Sequence, residues 1–433
     1  MKARSVVGLA VGTALSLMAG SALADPVTIS FLTHWSPETV AKLEAAAAEF
    51  KKSNPDVSVE VRAVPFGDLL TTLRSQGGSS GGATIAGIYD LWLPELVRDK
   101  LVAPVPADKA GGVVAAWPEG VVSAASVGGT LYGFPNEIDA YALNYNKKLF
   151  AEAGIAAPPK TWDEFLDAAK KLTKKDGDTV TQQGFGMINS WAAGVVHPFA
   201  SLLASNGGVL IADGKPALDS KPATETFALY ETLIKEGYSN PQMATADANT
   251  TGPFLDNFVS GKTGMIIMAN WWESALKAGM GDGFADIATA PIPVGPSGDK
   301  PRSISYSWMT VVNANAAPAE QEAAFAFLDW LNGPTSGPNG ASAMGDILMS
   351  MGILPSRTSD VTAFADRLQT PFLAGYVDVL ADARPFPVVL GGQEFTEALQ
   401  QQLEAIQYGQ ESGAEAQAKA QADAVEILER AGK

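Results

Sequence analysis

Two histidines, His34 and His197, supply the only imidazoles of the 433-residue chain, and there is no cysteine. A Ser-His-Asp nucleophile would have to use one of them, yet neither is accompanied by a Gly-x-Ser-x-Gly elbow. The pair does not form His-x-x-x-His, so a multi-histidine zinc site has no basis, and thiolate chemistry is excluded. His197, in an apolar stretch ahead of Pro198, reads as a packing residue. The glycine-rich run 77–82 lacks the lysine of a phosphate-binding loop and reads as a flexible surface link. Acids are plentiful, so an exported glycoside hydrolase with paired carboxylates stays open, although spacing picks out no pair. No cofactor, no metal and no enzymatic activity are expected.

What stands out instead is suited to binding. Of nine tryptophans, Trp35, Trp92, Trp191, Trp271 and Trp272 fall at the ends of expected strands or in the loops just after. An indole offers a wide, stiff apolar face and one N–H donor, which fits the flat C–H face of a sugar ring. Asp90, Asn136, Glu137, Asp139, Asn189 and Asn270 occupy the same loop ends and suit ring hydroxyls. Trp271 and Trp272 are adjacent, so one is expected to face the slot and the other the core. Trp162, Trp308 and Trp330 lie on apolar faces and read as core, and Tyr132 and Tyr145 as packing.

These residues need a scaffold, and the pattern supplies one. Strands are expected at Val27–Leu32, Val57–Val61 and Ala83–Tyr89, with a Ser36-capped helix between the first two and a helix at Asp68–Ser75. Alternation at this spacing indicates an α/β fold with a doubly wound sheet. Ligands in such sheets bind beyond the carboxyl ends of strands, which singles out His34-Trp35-Ser36 and Asp90-Leu91-Trp92. A strand through Ala140–Tyr145 leads into a helix ended by Gly154. Pro158-Pro159 forms an extended link, and Thr161 with Glu164 makes a capping box. Further strands are expected at Gly184–Ile188, Thr263–Met268, Ile287–Val294 and Met309–Val312. Helices are expected at Thr224–Glu236, Phe254–Val259, Glu320–Leu331, Phe395–Tyr408 and from Glu411.

The succession LNYNKKLFAEAG then PPKTWDEFLDAAKKL, within Leu143–Leu172, resembles the family 1 extracellular solute-binding proteins of ABC transporters. The likeness runs over nearly the whole chain, although Leu143-Asn144 departs from the apolar pair usual before Tyr-Asn. It implies a two-lobe periplasmic binding protein of type II-like fold, each lobe a sheet flanked by helices, joined by a multi-crossing hinge. Lobe 1 would comprise residues 25–138 and 294–336, and lobe 2 residues 139–293 and 337–433. It implies ligand contacts from His34, Trp35, Asp90 and Asp139, from Ser190 and Trp191, and from Asn270, Trp271 and Trp272. Ser305, Tyr306 and Arg384 match further positions that approach the ligand in the family. The implied function is capture of a small carbohydrate (sugar, oligosaccharide or polyol) by lobe closure and delivery to ABC transporter permease subunits. A glycerol 3-phosphate or phosphodiester ligand, met by His34 and Arg384, is the alternative within the family.

The termini and the charge set the surroundings. Lys2 and Arg4, the apolar Ser5–Met18 and the small residues of Ala22-Leu23-Ala24 read as a signal peptide, residues 1–24, cleaved after Ala24. The apolar run falls short of the ~20 residues a spanning helix needs. Without cysteine there is no thiol-linked lipid anchor, and a periplasmic monomer is expected. Thirty basic against 47 acidic residues give a net charge of −17, which repels phosphate backbones and excludes nucleic acid as a partner.

Overall fold

The computed structural model describes residues 26–78, 81–243 and 253–432. The expected signal peptide, residues 1–24, and Ser79 and Ser80 of the glycine-rich link lie outside the described residues. The principal elements are β1 (Val27–Thr33), α1 (Pro37–Ser53), β2 (Val57–Ala63), α2 (Phe66–Gln76), β3 (Ile85–Tyr89), β4 (Gly133–Asn146) and α3 (Trp162–Leu172). Then come β5 (Lys174–Asp176), β6 (Thr179–Gly186), α4 (Ala192–Ser205), α5 (Lys221–Lys235), β7 (Thr263–Ala269), β8 (Ile287–Ala290) and β9 (Ile304–Val312). The chain continues through α6 (Pro318–Leu331), β10 (Leu354–Pro355), β11 (Arg384–Pro385), α7 (Gly392–Gln407) and α8 (Gly413–Ala431).

One curled sheet runs through the molecule in the order β2-β1-β3-β9-β4-β7-β6-β5. At one end β1 pairs parallel with β2 and β3, as alternating strands and helices require. Toward the other end β7 pairs parallel with β6. Between them β4 joins the two parts: residues 133–140 pair with β9, and residues 141–145 pair with β7. Pro135 sits inside this strand without breaking it, because the register against β9 slips by one residue between Trp308 and Thr310. A bulge is where a strand tolerates a residue lacking its N–H.

Local chemistry sets the boundaries. Ser36 accepts from the Thr39 N–H and Pro37 opens α1, which buries Leu43, Ala47 and Phe50. Thr161 caps α3 through the Glu164 N–H, while the Glu164 carboxylate accepts from Lys160 N, one residue earlier than in the reciprocal box. The Trp162 N–H is taken by the Val294 carbonyl. Gly154 adopts φ +69°, the left-handed turn that L side chains resist. Burying each large side chain of these helices contributes on the order of 1.5–3 kcal/mol.

Four strands differ from the sequence expectation. The Ala140–Tyr145 strand is the second half of a 14-residue strand, because Pro135 is absorbed by the bulge. Gly184–Ile188 shifts to Thr179–Gly186, where β5 and β7 supply partners. Ile287–Val294 stops at Ala290, since Pro291 and Pro293 have no N–H to donate. Ile304–Val312 is one strand, so Ser305 and Tyr306 belong to a sheet crossing and not to a loop. Among the described residues, no helix is long and apolar enough to cross a membrane.

Candidate ligand-binding cleft

A cleft of about 570 Å³ opens between α2 and α7. Phe66, Leu70 and Arg74 of α2 line one wall, with Tyr89 and Trp92 at the end of β3. Opposite stand Ser190 and Trp191, then Ala192 and Ala193 at the start of α4, and Gln393, Glu397 and Gln400 of α7. A second cavity, near Leu32, Leu73 and Val311, measures about 20 Å³, room for a water molecule and no ligand.

The aromatic residues form two groups. On one side His34, Phe66, Tyr89, Trp92 and Trp308 pack ring against ring: His34 lies 4.7 Å from Trp308 and 5.4 Å from Phe66. On the other side Trp191 lies 6.3 Å from Trp271 and 6.1 Å from Trp272, with Phe254 beside it. Trp272 is buried, while Trp271 is half-buried and donates its N–H to the Tyr306 hydroxyl at 2.6 Å. The two indoles therefore differ in exposure, and neither is part of the cleft lining.

Several polar groups of the lining are bonded to one another. Trp92 Nε1 donates to Gln393 Oε1 at 3.0 Å, and Gln393 Nε2 donates to Glu397 at 2.7 Å. Arg74, the one cationic residue of the lining, is ion-paired with Glu95, and Glu394 with Arg430. At the cleft, carboxylates therefore outnumber free cations.

Beneath the cleft, where β3, β9 and β4 meet, three carboxyl groups lie buried. Asp90 accepts from the Ser307 N–H at 2.8 Å, and its Oδ1 has no partner. Asp139 accepts from Asn270 Nδ2 at 2.8 Å, and Asn270 Oδ1 accepts from the Ala140 N–H at 3.1 Å. Glu137 stands two residues before Asp139 on β4, opposite Trp308. Loss of solvation is the main cause that pushes Asp90 up to about 8 and Asp139 to about 7. Glu137 rises well above the carboxylate range by burial and by the charges of Asp139 and Asp90. Asn270 and Tyr306, as hydrogen-bond partners, draw Asp139 partly back. His197 shares this region: its Nε2 lies 2.9 Å from the Tyr89 hydroxyl, and burial holds it neutral, down to about 3.

Most of the expected site residues are divided among three places, and Trp35 and Arg384 lie outside them. Ser190 and Trp191 line the cleft, with Trp271 and Trp272 behind them. His34 joins the aromatic group, and burial holds its imidazole neutral, at about 4. Asp90, Asp139, Asn270, Ser305 and Tyr306 are buried at the strand crossing. Trp35 packs on Phe31 at 6.3 Å, outside the cleft lining. Arg384 donates to the carbonyls of Gly208 (2.6 Å) and Gly207 (3.4 Å) and is not part of the cleft lining. Asp90 opens a single 3-10 turn and serves β9, not a helix cap. Trp308, expected in the core, is half-buried within the aromatic group.

Sequence reasoning missed Phe66, Arg74, Tyr89, Gln393, Glu397 and Gln400. A signal existed for the last three, which recur at helical spacing opposite the buried Phe395, Leu399, Leu403 and Ile406.

A doubly wound sheet bent around one shared strand, with a cleft beside the crossing, defines the class of two-lobe solute-binding folds. The chain belongs to the bacterial extracellular solute-binding protein family, whose sequence model matches residues 35–338. A putative binding protein of Brucella abortus (strain 2308) is 26% identical over 402 residues, 93% of each chain. The diacetylchitobiose binding protein DasA of Streptomyces coelicolor is 28% identical over 231 residues, 51% of this chain and 50% of its own. Among solved structures, the acarbose-binding GacH receptor of Streptomyces glaucescens superposes with a TM-score of 0.78 at 22% identity, covering 93% of this chain and 98% of its own. The cyclic alpha-maltosyl-1,6-maltose binding protein of Arthrobacter globiformis gives 0.74 at 22% identity, covering 94% and 100%. These likenesses establish the two-lobe fold.

Proposed function

We propose that the protein captures a neutral oligosaccharide in this cleft and hands it to an ABC importer. The observation that carries the reading is the pairing of aromatic walls with a polar rim that holds no free cation. Indoles and phenyl rings cover the C–H faces of sugar rings, and Gln393, Glu397 and Gln400 bind their hydroxyls. The volume suits two or three sugar rings. Relatives support the class: the names of DasA, the GacH receptor and the cyclic maltosyl-maltose binder all specify carbohydrate ligands.

The anionic alternative draws support from the sn-glycerol-3-phosphate-binding periplasmic protein UgpB of Salmonella typhimurium, 28% identical over 241 residues, 53% of this chain and 54% of its own. Against it, Arg384 is held by backbone carbonyls, His34 is neutral, and Arg74 is paired with Glu95. The hydrolase reading finds its cleft carboxylates engaged by Arg74, Arg430 and Gln393, and the family is one of binding proteins.

In this reading lobe 1 comprises residues 25–138 and 294–336, and lobe 2 residues 139–293 and 337–433. The change of partners along β4 after Ala140 supports that division. Closure brings both walls onto the ligand, and the ligand shifts the balance through its greater affinity for the closed form. A periplasmic monomer, released by cleavage after Ala24, presents the closed form to the permease subunits. Calorimetry with maltotriose, cellotriose, mannotriose, N,N′-diacetylchitobiose and sn-glycerol 3-phosphate tests the proposal. Saturable heat from at least one neutral saccharide and none from the phosphate ester is expected. Binding of the phosphate ester alone would overturn it.

A further inference from the structure

Trp191 is the one cleft-lining indole on the α4 side, and its placement has an unusual cause three residues on. Gly194, in the first turn of α4, has ordinary helical geometry, so no backbone requirement calls for glycine there. The requirement is spatial. A Cβ on Gly194 would stand 2.6 Å from Trp191 Cε2 and 2.8 Å from both Cδ2 and Cζ2, closer than carbon atoms pack. The six-membered half of the indole therefore lies directly on the bare Cα of Gly194. Pro198 marks the same spot, because a proline lacks the N–H that would reach the Gly194 carbonyl and crowds that carbonyl with its ring. Trp271, Trp272 and Phe254 contact the indole from the β7 side and leave it no alternative seat there.

We infer that Gly194 is a positioning residue for ligand stacking, which lets the Trp191 indole lie down on the first turn of α4 and fixes the plane it presents to the cleft. The inference rests on the carbohydrate reading given above. It also assigns a class of contact: the sugar ring nearest α4 is held by one apolar face against this indole, which favours pyranosides whose substituents leave that face flat. Any side chain at 194 would lift the indole into the cleft, occupying volume that the ligand needs. Gly194 touches no ligand itself.

The test separates the steric claim from the functional one. Protein labelled with 5-fluorotryptophan gives fluorine resonances, of which the one missing in Trp191→Phe belongs to Trp191. In Gly194→Ala without ligand, the Trp191 resonance is expected to shift while those of distant Trp162 and Trp330 stay put. Affinity for whichever trisaccharide of the calorimetric panel binds the wild type is expected to fall on the order of tenfold. The variant should still melt cooperatively, because alanine's better helix propensity offsets part of the cost of moving the indole. Combined with Trp191→Phe, Gly194→Ala should cost nothing further, as coupled positions require. An unmoved Trp191 resonance overturns the inference whatever the ligand proves to be. A shifted resonance with unchanged affinity overturns the positioning role while leaving the steric contact intact. If no saccharide binds the wild type, the carbohydrate reading fails, and the stacking role fails with it.

Discussion

The cleft between α2 and α7 and the strand crossing beneath it both combine aromatic rings with carboxyl groups, but the carboxyls meet different surroundings. At the cleft Glu95 and Glu394 pair with arginines of neighbouring helices, and Glu397 accepts from Gln393 one turn earlier on α7. At the crossing Asp90, Glu137 and Asp139 have lost water and face one another's charge. The first arrangement leaves carboxyl oxygens within reach of a ligand's hydroxyl groups. The second raises proton affinity by burial, and there Asp90 and Asp139 tie strands together by accepting from Ser307 and Asn270. One residue type thus serves recognition in one region and cohesion in the other, and solvation decides which.

The largest expected effect that would sharpen this comparison belongs to the cleft. Trp191→Ala removes a stacking face and should weaken oligosaccharide affinity about a hundredfold, near 2.7 kcal/mol, with a small change in stability. Calorimetry and a melting curve on the same sample check both halves. Next comes the crossing: Asn270→Ala strands Asp139 and the Ala140 N–H, and should cost about 1–3 kcal/mol of stability in urea unfolding. If this variant lost affinity and kept its stability, the division between the regions would be wrong.

Acidity separates them next. Asp90 at about 8 and Asp139 at about 7 lie above the unfolded value of roughly 3.9. Between these limits the folded protein holds protons that the unfolded chain has released. Stability from these groups is therefore complete below pH ~4 and declines as pH rises toward 7 and 8, by at most ~1.4 kcal/mol per unit for each group. Urea midpoints from pH 5 to 8 should fall, and Asp90→Asn should flatten the slope. Midpoints that rise across that range would contradict proton retention. The smallest effect concerns Arg384→Ala, which removes hydrogen bonds to Gly207 and Gly208 and should cost about 1–2 kcal/mol of stability. Its saccharide affinity should stay within about twofold of the wild type.

Much of the scaffold was legible from local chemistry. Ser36-Pro37, Thr161 with Glu164, and Gly154 mark turns and caps by mechanisms that act within a few residues. The loop tryptophans likewise pointed to Trp191 and its neighbours. What escaped was long-range. Nothing near Pro135 in sequence shows that β9 will accommodate a bulge there, so the strand read as short. Arg384 sits beside Ser303 and Ile304 in the sheet, and only that pairing reveals that its guanidinium meets the carbonyls of Gly207 and Gly208. The polar stripe of α7 becomes a cleft wall because α7 packs against α4, a contact between residues about two hundred positions apart.

The continuity of β4 has a mechanical corollary. Its fourteen residues would extend to roughly 46 Å at strand pitch, and partners flank it on both edges at residues 137–138 and 143–145, one stretch in each half. A rotation of one half of the molecule against the other would be taken up as twist along this ribbon, the way a leaf spring flexes.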